Sequence, residues 1–391
     1  MTTRNLDAIF KPRSIALVGA SRRSGSVGQV VARNLFHAGF QGPIMPVNPR
    51  ERAIEGVLAY PDVDALPEAP DLAIIATPAH TVPSIIDSLG ARGTRGAVII
   101  TAGFNVGQGQ AGLALRQQLL DAAKPYTLRV TGPNCVGIAL PRQGVNGSFS
   151  HIQALAGDLA FVTQSGAMVT AMLDWATPRG IGFSHVVSLG DMADVDFGDM
   201  LDYLAVDPST RAVLLYAEAI TDARKFMSAA RACARAKPVI VIKGGRHAEG
   251  AKAATSHTGA LAGSDEVYDA AFRRAGALRV FTLEELFDAA QTLSTATALP
   301  RKGGDRLAIL TNGGGLGVLA TDALIDQGGH LAELSPETLK QLDALLPATW
   351  SRGNPVDIIG DAPGERYAGS LEALLEAPEV DAVLAMHCPV A

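Results

Sequence analysis

Ser14–Ser21 reads SIALVGAS, a short apolar run that ends in a turn of small residues. Sequence typical of an amphipathic helix follows it. The same succession of apolar run, small-residue turn and helix recurs at Asp71–Pro78, Gly96–Phe104, Asp158–Gly166, Ala212–Glu218, Pro238–Gly244, Arg306–Gly315 and Asp381–Pro389. Continuous apolar strands that alternate with helices are typical of parallel sheets covered on both faces. The sequence therefore predicts an α/β fold.

Two of these runs are similar to each other. Leu159–Gly166 reads LAFVTQSG, and Leu307–Gly314 reads LAILTNGG. One interpretation is that any two buried strands ending in a glycine turn look alike. The other is that the chain holds two related domains, each of which presents a helix N-terminus after its first strand.

Composition restricts the class of protein. With 391 residues, the chain exceeds the ~150 residues of one ordinary domain. Its 48% hydrophobic and 18% charged residues exclude intrinsic disorder. A net charge of −6 argues against a nucleic-acid partner. No segment reaches the ~18 uninterrupted apolar residues of a membrane span, and no secretory signal is evident. We expect a cytoplasmic protein, with no membrane or nucleic-acid contact, that forms a homo-oligomer.

Linker-like composition divides the chain into three predicted domains, over residues 1–126, 127–298 and 303–391. The last of these reaches its third strand signal and stops there. A parallel sheet so short would expose an edge and an uncovered face. We therefore expect this domain to be truncated and partner domains to follow it.

The first domain carries a predicted anion site. Gly19, Ala20 and Ser21 follow a strand, and Gly25 and Gly28 precede a helix predicted over Gln29–Phe36. A glycine-rich turn that opens onto a helix N-terminus presents N–H groups to an anion. The spacing is not GxGxxG, which disfavours a dinucleotide.

The end of the second strand, predicted over Pro43–Val47, distinguishes between cofactors. NAD-binding proteins place an acidic residue there, whereas this chain has Asn48, Pro49 and Arg50. An arginine suits a ribose that carries phosphate, as in coenzyme A or NADP. The alternative for Arg50 alone is an ordinary solvated side chain.

Several motifs in family order resemble the NDP-forming acyl-CoA synthetase superfamily, which includes the succinyl-CoA synthetase α subunit. They are Gly19–Ser21 (GAS), Pro46–Pro49 (PVNP), Ala76–Pro78 (ATP), Thr101–Phe104 (TAGF), Gly132–Gly137 (GPNCVG), Phe161–Met168 (FVTQSGAM), Ser188–Asp196 (SLGDMADVD), Ser256–Gly263 (SHTGALAG) and Thr311–Asp322 (TNGGGLGVLATD). The chain also resembles the ligase-like region of protein lysine acetyltransferases that carry a GNAT domain. The resemblance covers essentially the whole chain.

This resemblance implies a Rossmann-like CoA-binding domain followed by two flavodoxin-like parallel-sheet domains. It implies that a small-molecule acyl substrate and coenzyme A bind this chain. ATP or ADP with Mg²⁺ would bind an ATP-grasp domain, fused or separate, that is not visible here. The predicted CoA site comprises Gly19, Ala20, Ser21, Arg22, Ser26, Val47, Asn48, Pro49, Arg50, Thr77, Pro78, Thr101, Asn134 and Cys135.

One histidine has a neighbourhood suited to chemistry. His257 lies in a stretch of almost entirely small residues, GGRHAEGAKAATSHTGALAG, which ends at a helix expected to begin near Ser264. Small neighbours would leave a histidine accessible to a bulky group, whereas a core histidine is packed among apolar side chains. From the residues alone, a catalytic and a structural role are equally well supported. The resemblance of SHTGALAG to the family's phosphohistidine block favours the nucleophile.

A phosphoryl-accepting histidine needs partners. The resemblance assigns Glu218, at the end of the strand in LLYAEAI, as the carboxylate that holds the ring's other nitrogen. The alternative is a surface acid at the start of a loop. The transferred phosphoryl group also needs donors, and we expect the two similar helix N-termini to bind it. Those phosphate-binding residues are Gln164, Ser165, Gly166, Asn312, Gly313, Gly314 and Gly315.

Other reactive residue types carry weaker signals. Cys135 has no local histidine partner, so we expect a buried thiol that lines the CoA site without reacting. Asp191, Asp194, Asp196 and Asp199 form a weak candidate for magnesium binding or for ordering a loop, in a pattern also typical of a solvated turn. We predict no metal ligands in this chain.

The favoured function is the α-type part of an NDP-forming acyl-CoA synthetase, which converts acyl-CoA, ADP and phosphate into acid, CoA and ATP through phosphorylated His257. We expect the fragment to be incomplete without an ATP-grasp domain. The alternative is a CoA-sensing module of a GNAT-type protein lysine acetyltransferase. In those proteins the histidine is often replaced, whereas here it is retained. A third interpretation, an NADP oxidoreductase, is disfavoured because the sequence shows neither the GxGxxG turn nor a hydride-transfer site.

Overall fold

A computed structural model describes residues 3–105, 108–247, 249–250, 264–295 and 304–389. These residues form two compact units, Met1–Ala296 and Thr297–Ala391. The predicted catalytic His257 lies outside the described residues. Among the helices that the structure describes, none has both the length and the apolar character needed to cross a membrane.

The first unit begins with a five-stranded parallel sheet in the order β2-β1-β5-β6-β7. Its strands, with the small β3–β4 hairpin, are β1 (Ile15–Val18), β2 (Ile44–Val47), β3 (Ala53–Ile54), β4 (Val57–Leu58), β5 (Leu72–Ile75), β6 (Gly96–Ile99) and β7 (Arg129–Thr131). The helices are α1 (Asp7–Phe10), α2 (Val27–His37), α3 (Val82–Arg92) and α4 (Gly109–Ala123). The strand order reverses at β1, and such a switch point opens a crevice at the carboxyl ends of the strands.

The same unit holds a second, seven-stranded sheet in the order β14-β13-β12-β10-β11-β8-β9. Its strands are β8 (Gly137–Leu140), β9 (Val145–Ser148), β10 (Ala156–Thr163), β11 (Phe183–Ser188), β12 (Ala212–Ala217), β13 (Val239–Lys243) and β14 (Leu278–Val280). The helices are α5 (Gly166–Ala176), α6 (Phe197–Val206), α7 (Ala223–Ala236), α8 (Asp265–Ala275) and α9 (Leu283–Thr295). Central strand β10 has β11 on one side and β12 on the other, which makes a second switch point.

An antiparallel edge departs from the purely parallel sheet that the sequence predicts. β8 pairs antiparallel with both β9 and β11, and residues 142–144 form part of the turn between β8 and β9. The side chain of Asn34 on α2 donates to the carbonyl oxygens of Ser148 and Ser150, both at 2.8 Å. These buried bonds connect the first sheet's helix layer to the edge of the second sheet.

A shared hydrophobic core explains why both sheets belong to one unit. The core includes Leu17 from β1, Leu35 from α2, Ile138 from β8 and Val162 from β10, all fully buried. Burying apolar surface stabilises by ~25 cal/mol per Å², so a core continuous between the sheets holds them together. Because the shared core holds the two sheets in a fixed relative orientation, residues from both sheets can line one cavity.

Acidic residues that the sequence places on a solvated turn are in fact ion-paired. Asp196 caps α6 and forms a capping box with Asp199, and both are buried. Lys225 contacts both carboxylates at 3.0 Å and 2.5 Å. Arg129 contacts Asp194 at 2.9 Å and Asp199 at 3.2 Å. These three carboxylates order the loop and join β7 to α6 and α7, which favours the loop-ordering interpretation of the sequence over a solvated turn.

The second unit contains a four-stranded parallel sheet in which β15 pairs with each of the other strands. The strands are β15 (Arg306–Thr311), β16 (His330–Leu331), β17 (Val356–Asp357) and β18 (Ala382–Met386). The helices are α10 (Gly314–Asp326), α11 (Pro336–Leu345) and α12 (Gly364–Glu376). Leu310, Leu342 and Val356 are fully buried in its core.

The predicted fold class is confirmed, since three α/β sheets follow one another along the chain. Each of the eight quoted apolar runs contains a strand, and the helix predicted at Gln29–Phe36 is α2. The short strands β16 and β17 and the β8–β9 hairpin were not predicted, because they are too short or too irregular to show a repeating pattern.

Candidate active site

A first cavity of about 810 Å³ lies at the carboxyl ends of β1, β2 and β5. The N-terminus of α2 borders it, and Ser26 caps that helix by accepting from the Gln29 N–H. The N–H groups in a helix's first turn lack intrahelical partners and carry partial positive charge. This part of the cavity is therefore suited to a phosphate group.

At this cavity, two glycines allow neighbouring backbone segments to lie close to each other. Gly19 has φ +91°, and a Cβ there would lie 2.7 Å from the Ala76 carbonyl oxygen. A Cβ on Gly28 would lie 2.0 Å from the Gly19 carbonyl oxygen. Any side chain at Gly28 would therefore push α2 away from the turn after β1.

Asn48 organises the loop after β2. Its amide nitrogen donates to the Ala20 carbonyl at 2.6 Å, and its oxygen accepts from the N–H groups of Arg50 and Glu51. These bonds hold the β2 loop against the β1 turn. The Arg50 side chain is exposed and lines the cavity, where its charge is available to an anionic ligand.

Most residues of the predicted CoA site line this first cavity. They are Gly19, Ser21, Ser26, Val47, Asn48, Pro49, Arg50, Thr77 and Pro78. Two others lie elsewhere. Ala20 is fully buried in the hydrophobic core, and Arg22 is exposed and lies 3.7 Å from the Glu51 carboxylate.

A second cavity of about 630 Å³ adjoins the first, since Val27 and Ala76 line both. It brings together predicted residues from both sheets of the unit. Its lining includes Thr101, Asn134 and Cys135 from the predicted CoA site and Gln164 and Gly166 from the predicted phosphate site. Between the last two, Ser165 occupies the N-cap position of α5 without a side-chain capping bond. The remaining lining is Ile100, Ala102, Val136, Phe149, Ala167, Thr170, Gly190 and Asp191.

Cys135 is a buried thiol, as the sequence predicts. Its Sγ lies 3.2 Å from the Ile99 carbonyl oxygen. Burial raises the pKa of this thiol to about 12. Because the thiolate is the nucleophilic form, Cys135 stays protonated and forms a wall of the cavity.

Gln164 links the ends of β10 and β12. Its side-chain oxygen accepts from the N–H groups of Glu218 at 2.8 Å and Ala219 at 2.9 Å. Glu218 is buried, and the Tyr216 hydroxyl donates to its carboxylate. Burial, together with the Glu218 charge, raises the pKa of Tyr216. Glu218 is thus a held carboxylate inside the protein and not a surface acid.

The two similar sequence stretches share a local structure. Thr163 Oγ1 accepts from the Ser165 N–H at 3.1 Å, just as Thr311 Oγ1 accepts from the Gly313 N–H at 3.0 Å. The next residue begins a helix in each case, α5 at Gly166 and α10 at Gly314.

The buried amide that follows each threonine also has the same role. The Asn312 side chain bonds the N–H of Cys388 at 2.7 Å and its carbonyl at 2.9 Å, at the end of β18. Gln164 likewise bonds the end of β12, the strand beside β10. The shared geometry favours two related domains over a chance likeness of glycine turns.

A second charged group lies near Glu218. Lys243 ends β13 beside Ala217 of β12 and is buried, with its ammonium 4.6 Å from the centre of the Tyr268 ring. Burial lowers the pKa of Lys243, against the attraction of the Asp265 and Glu218 carboxylates. His257 follows β13 in the sequence, and its own position lies outside the described residues.

Helix α8, on the far side of that segment, begins where the sequence predicts. Ser264 occupies the N-cap position, but its hydroxyl bonds the Glu266 carboxylate and makes no capping bond to the backbone. No group of three or more His, Cys, Asp or Glu that could hold a metal ion occurs among the described residues.

Several residues that line the second cavity are not assigned to the site by the sequence analysis, and of these Asp191, which the sequence groups with an acidic cluster, carries the most chemistry. It follows Gly190 just beyond β11, the neighbour of β10. Side chains after adjacent parallel strands meet at one edge of the sheet. That rule, applied to SLGD, is a signal that could have placed Asp191 in the site.

Comparison with known families agrees with this arrangement. Residues 13–141 match the CoA binding domain, residues 156–293 match the succinyl-CoA ligase like flavodoxin domain, and residues 307–388 match the ligase-CoA domain. Fold and cavities together define a protein of the CoA-ligase class.

Comparison with individual relatives identifies the kind of CoA ligase. The chain is 41% identical over 391 residues to the acetate–CoA ligase (ADP-forming) I subunit alpha of Pyrococcus furiosus, covering 99% of this chain and 84% of that subunit. It is 45% identical over 386 residues to the acetate–CoA ligase (ADP-forming) I of Archaeoglobus fulgidus, covering 99% of this chain but 55% of that protein. The chain thus spans about half the length of that relative.

A solved structure is similar as well. The dinucleotide forming acetyl-coenzyme A synthetase 1 of Ca. Korarchaeum cryptofilum, in complex with phosphate and ADP, matches with a TM-score of 0.93 and 38% identity, covering 100% of this chain and 83% of that chain. The chain belongs to the family of ADP-forming acyl-CoA ligases and corresponds to their α-type part. These relatives give no support to the acetyltransferase alternative.

Proposed function

We propose that this chain binds acyl-CoA and phosphate and carries the phosphorylated histidine of an ADP-forming acyl-CoA synthetase. The overall reaction converts acyl-CoA, ADP and phosphate into acid, CoA and ATP. One observation supports this most: residues of the predicted CoA site and of the predicted phosphate loop line the same second cavity, which adjoins the first. A thioester and a phosphate ion would therefore meet there.

In this proposal the first cavity holds the nucleotide end of coenzyme A. The α2 N-terminus and Arg50 supply positive charge for its phosphates. The pantetheine arm extends past Val27 and Ala76 into the second cavity. Phosphate at the α5 N-terminus attacks the thioester carbonyl, the C–S bond breaks, and an acyl phosphate forms.

His257 then attacks the phosphorus of the acyl phosphate, and the carboxylic acid leaves. The attacking ring nitrogen must be unprotonated, so the opposite N–H needs an acceptor. We propose that Glu218 is this acceptor. Gln164 holds its backbone, and Tyr216 holds its carboxylate. The loop at Asn312–Gly315 has the same local structure as Gln164–Gly166, and we propose it as a phosphate-binding loop of the second unit.

The phosphohistidine would then deliver its phosphoryl group to ADP. We propose that the nucleotide, with Mg²⁺, binds an ATP-grasp part supplied as a fused or separate chain, and that the complete enzyme is a cytoplasmic homo-oligomer.

The test combines the chain with its nucleotide-binding part, acetyl-CoA, ADP and phosphate, and measures ATP. We expect ATP to form with both parts present and not with this chain alone. His257→Ala should abolish both ATP formation and an acid-labile phosphoryl label while leaving CoA affinity unchanged. His247→Ala, a histidine in the same stretch, is the matched control and should keep the label. A label on His257→Ala at the wild-type rate would refute the proposal.

A further inference from the structure

Asp191 is a carboxylate held rigidly in the wall of the second cavity. Its backbone N–H donates to the Pro133 carbonyl at 2.9 Å, and its Oδ1 accepts from the Asn134 side chain at 3.1 Å. A Cβ on the preceding Gly190 would lie 2.2 Å from the Pro133 oxygen. Only glycine lets the loop after β11 approach the Pro133–Asn134 turn this closely, so both loops hold the carboxylate in place.

The other side of that turn is connected to the first sheet. The Asn134 N–H donates to the Thr101 carbonyl at 2.9 Å, and Thr101 Oγ1 donates to the Thr77 carbonyl at 2.6 Å. A chain of bonds thus runs from Asp191 to the loop that lines the first cavity. Asp191 lines the second cavity together with Asn134 and Cys135, and the proposed function brings the thiol end of coenzyme A into this cavity.

Among the described residues that line this cavity, Asp191 is the only carboxylate, and the only other ionisable side chain is Cys135. Cys135 is a poor proton acceptor, since burial raises the pKa of its thiol to about 12 and keeps it protonated. Among the described lining residues, Asp191 is therefore the one side chain that can accept a proton released in this cavity. Arg116 donates to the carbonyl oxygen of Met192, the residue after Asp191, at 3.0 Å.

The reaction of acyl phosphate with CoA releases such a proton. A free thiol has a pKa of about 8.5, so most of it is protonated at neutral pH and nucleophilic only after it loses that proton. A side chain positioned within hydrogen-bond reach, such as a histidine or a carboxylate, can remove it.

We propose that Asp191 is the general base for the CoA thiol, an inference that rests on the proposed function of the second cavity. Sulfur attacks the acyl carbon as its proton passes to the Asp191 carboxylate. The C–S bond forms, the C–O bond to phosphate breaks with its electron pair, and orthophosphate leaves as HPO4²⁻ after it takes up the proton from Asp191 through water. In the opposite direction, Asp191 receives the proton of the attacking HPO4²⁻ through water and returns it to the departing thiolate. Transfer of the phosphoryl group between acyl phosphate and His257 involves no thiol and does not use Asp191.

The test measures two partial reactions of the complete enzyme, this chain with its nucleotide-binding part, starting from acetyl phosphate. One is thioester formation from acetyl phosphate and CoA; the other is ATP formation from acetyl phosphate and ADP without CoA. Asp191→Asn, which keeps the shape and the bond to Asn134, should slow thioester formation by ~10²–10⁴-fold at saturating CoA. ATP formation should stay within about twofold of wild type, which also shows that the variant folds.

Asp194→Asn removes a carboxylate from the same loop, where Asp194 contacts Arg129 at 2.9 Å, and serves as the matched control. It should lower the melting temperature yet leave thioester formation at its wild-type rate. Equal loss of both partial reactions in Asp191→Asn would show a structural role and overturn the inference. A raised KM for CoA with unchanged kcat would show a binding role and overturn it as well. Wild-type enzyme that performs neither reaction would instead refute the proposed function.

Discussion

The side-chain oxygen of Gln164 accepts a hydrogen bond of 2.8 Å from the backbone N–H of Glu218. The two residues follow neighbouring strands, β10 and β12, and both are buried. One side chain thus joins the loop that begins α5 to the carboxylate proposed to orient His257. A change at Gln164 is therefore expected to affect both features.

Replacement of Gln164 by Leu should destabilise the first unit by about 2 kcal/mol or more. Leucine is similar in size but accepts no hydrogen bond, so the buried N–H groups of Glu218 and Ala219 lose their acceptor. Calorimetric melting of the first unit measures the effect. Gln117→Leu, on the exposed face of α4, should change stability by less than ~0.5 kcal/mol. Equal melting of both variants would show that the Gln164 bonds contribute nothing.

Replacement of Gly28 by Ala should weaken CoA binding by about tenfold or more. The new Cβ would lie 2.0 Å from the Gly19 carbonyl, so α2 must shift at the first cavity, and overpacking typically costs ~1–3 kcal/mol. Titration calorimetry with CoA tests this. Gly25→Ala is the control, because a Cβ there meets nothing within 4 Å and only its φ of +72° opposes the change. Unchanged affinity in Gly28→Ala would separate this cavity from CoA binding.

Replacement of Glu218 by Gln should slow phosphorylation of His257 by ~10²–10⁴-fold without abolishing it. Glutamine keeps the shape but loses the charge that would stabilise a positive imidazole ring. The rate of labelling in the complete enzyme checks the expectation. Tyr216→Phe removes only the hydroxyl that donates to Glu218 and should have a smaller effect. Labelling of Glu218→Gln at the full rate would remove Glu218 from the mechanism.

Stability should fall as the pH drops from 6.5 toward 4, because of His185. This histidine is 3% exposed, and burial lowers its pKa from 6.5 to about 4. The nearby charges are Asp207, which favours the protonated ring, and Lys11 and Lys237, which oppose it. Between pH 4 and 6.5 the unfolded chain binds a proton that the folded chain does not, so folding is weakened by up to roughly 3 kcal/mol.

The free energy of unfolding, measured by urea titration at several pH values between 4 and 6.5, gives the slope of stability against pH. In His185→Gln the side chain cannot titrate, so this slope should become smaller. Asp207 also titrates, but the pKa of its carboxylate lies below its ordinary value of 3.8, so its contribution is lost only below this window. An identical slope in wild type and His185→Gln would assign the pH dependence to other groups.

The fold class could be predicted because buried parallel strands leave a pattern that needs no partner to be seen. Ile15–Val18 and Val239–Lys243 are apolar throughout, since both faces of each sheet are covered. The β8–β9 hairpin left no such pattern. Its strands contain Gly137 and Gly147, and its buried Asn146 and Ser148 look polar in sequence.

Residues of the candidate site could be predicted one stretch at a time. Asn48 and Gln164 stand directly after strands, and side chains at the carboxyl ends of parallel strands face the crevice. Asp191 also lies just beyond the carboxyl end of a strand, β11, but the aspartates that follow it make it resemble part of an acidic cluster. Asp194, Asp196 and Asp199 in fact pair with cations from other elements.

The succession of strands and helices, the glycine turns and the repeat of Leu159–Gly166 in Leu307–Gly314 can be recognised from the amino-acid sequence, because they depend on local backbone preference and burial. The three-dimensional fold was needed to see that Asn134 and Gln164 line one cavity, that Gln164 holds Glu218, and that Asp191 is separated from the ion-paired acids. Such relations depend on contacts between residues distant in the chain, which are set by the order of strands in each sheet and by the core the two sheets share.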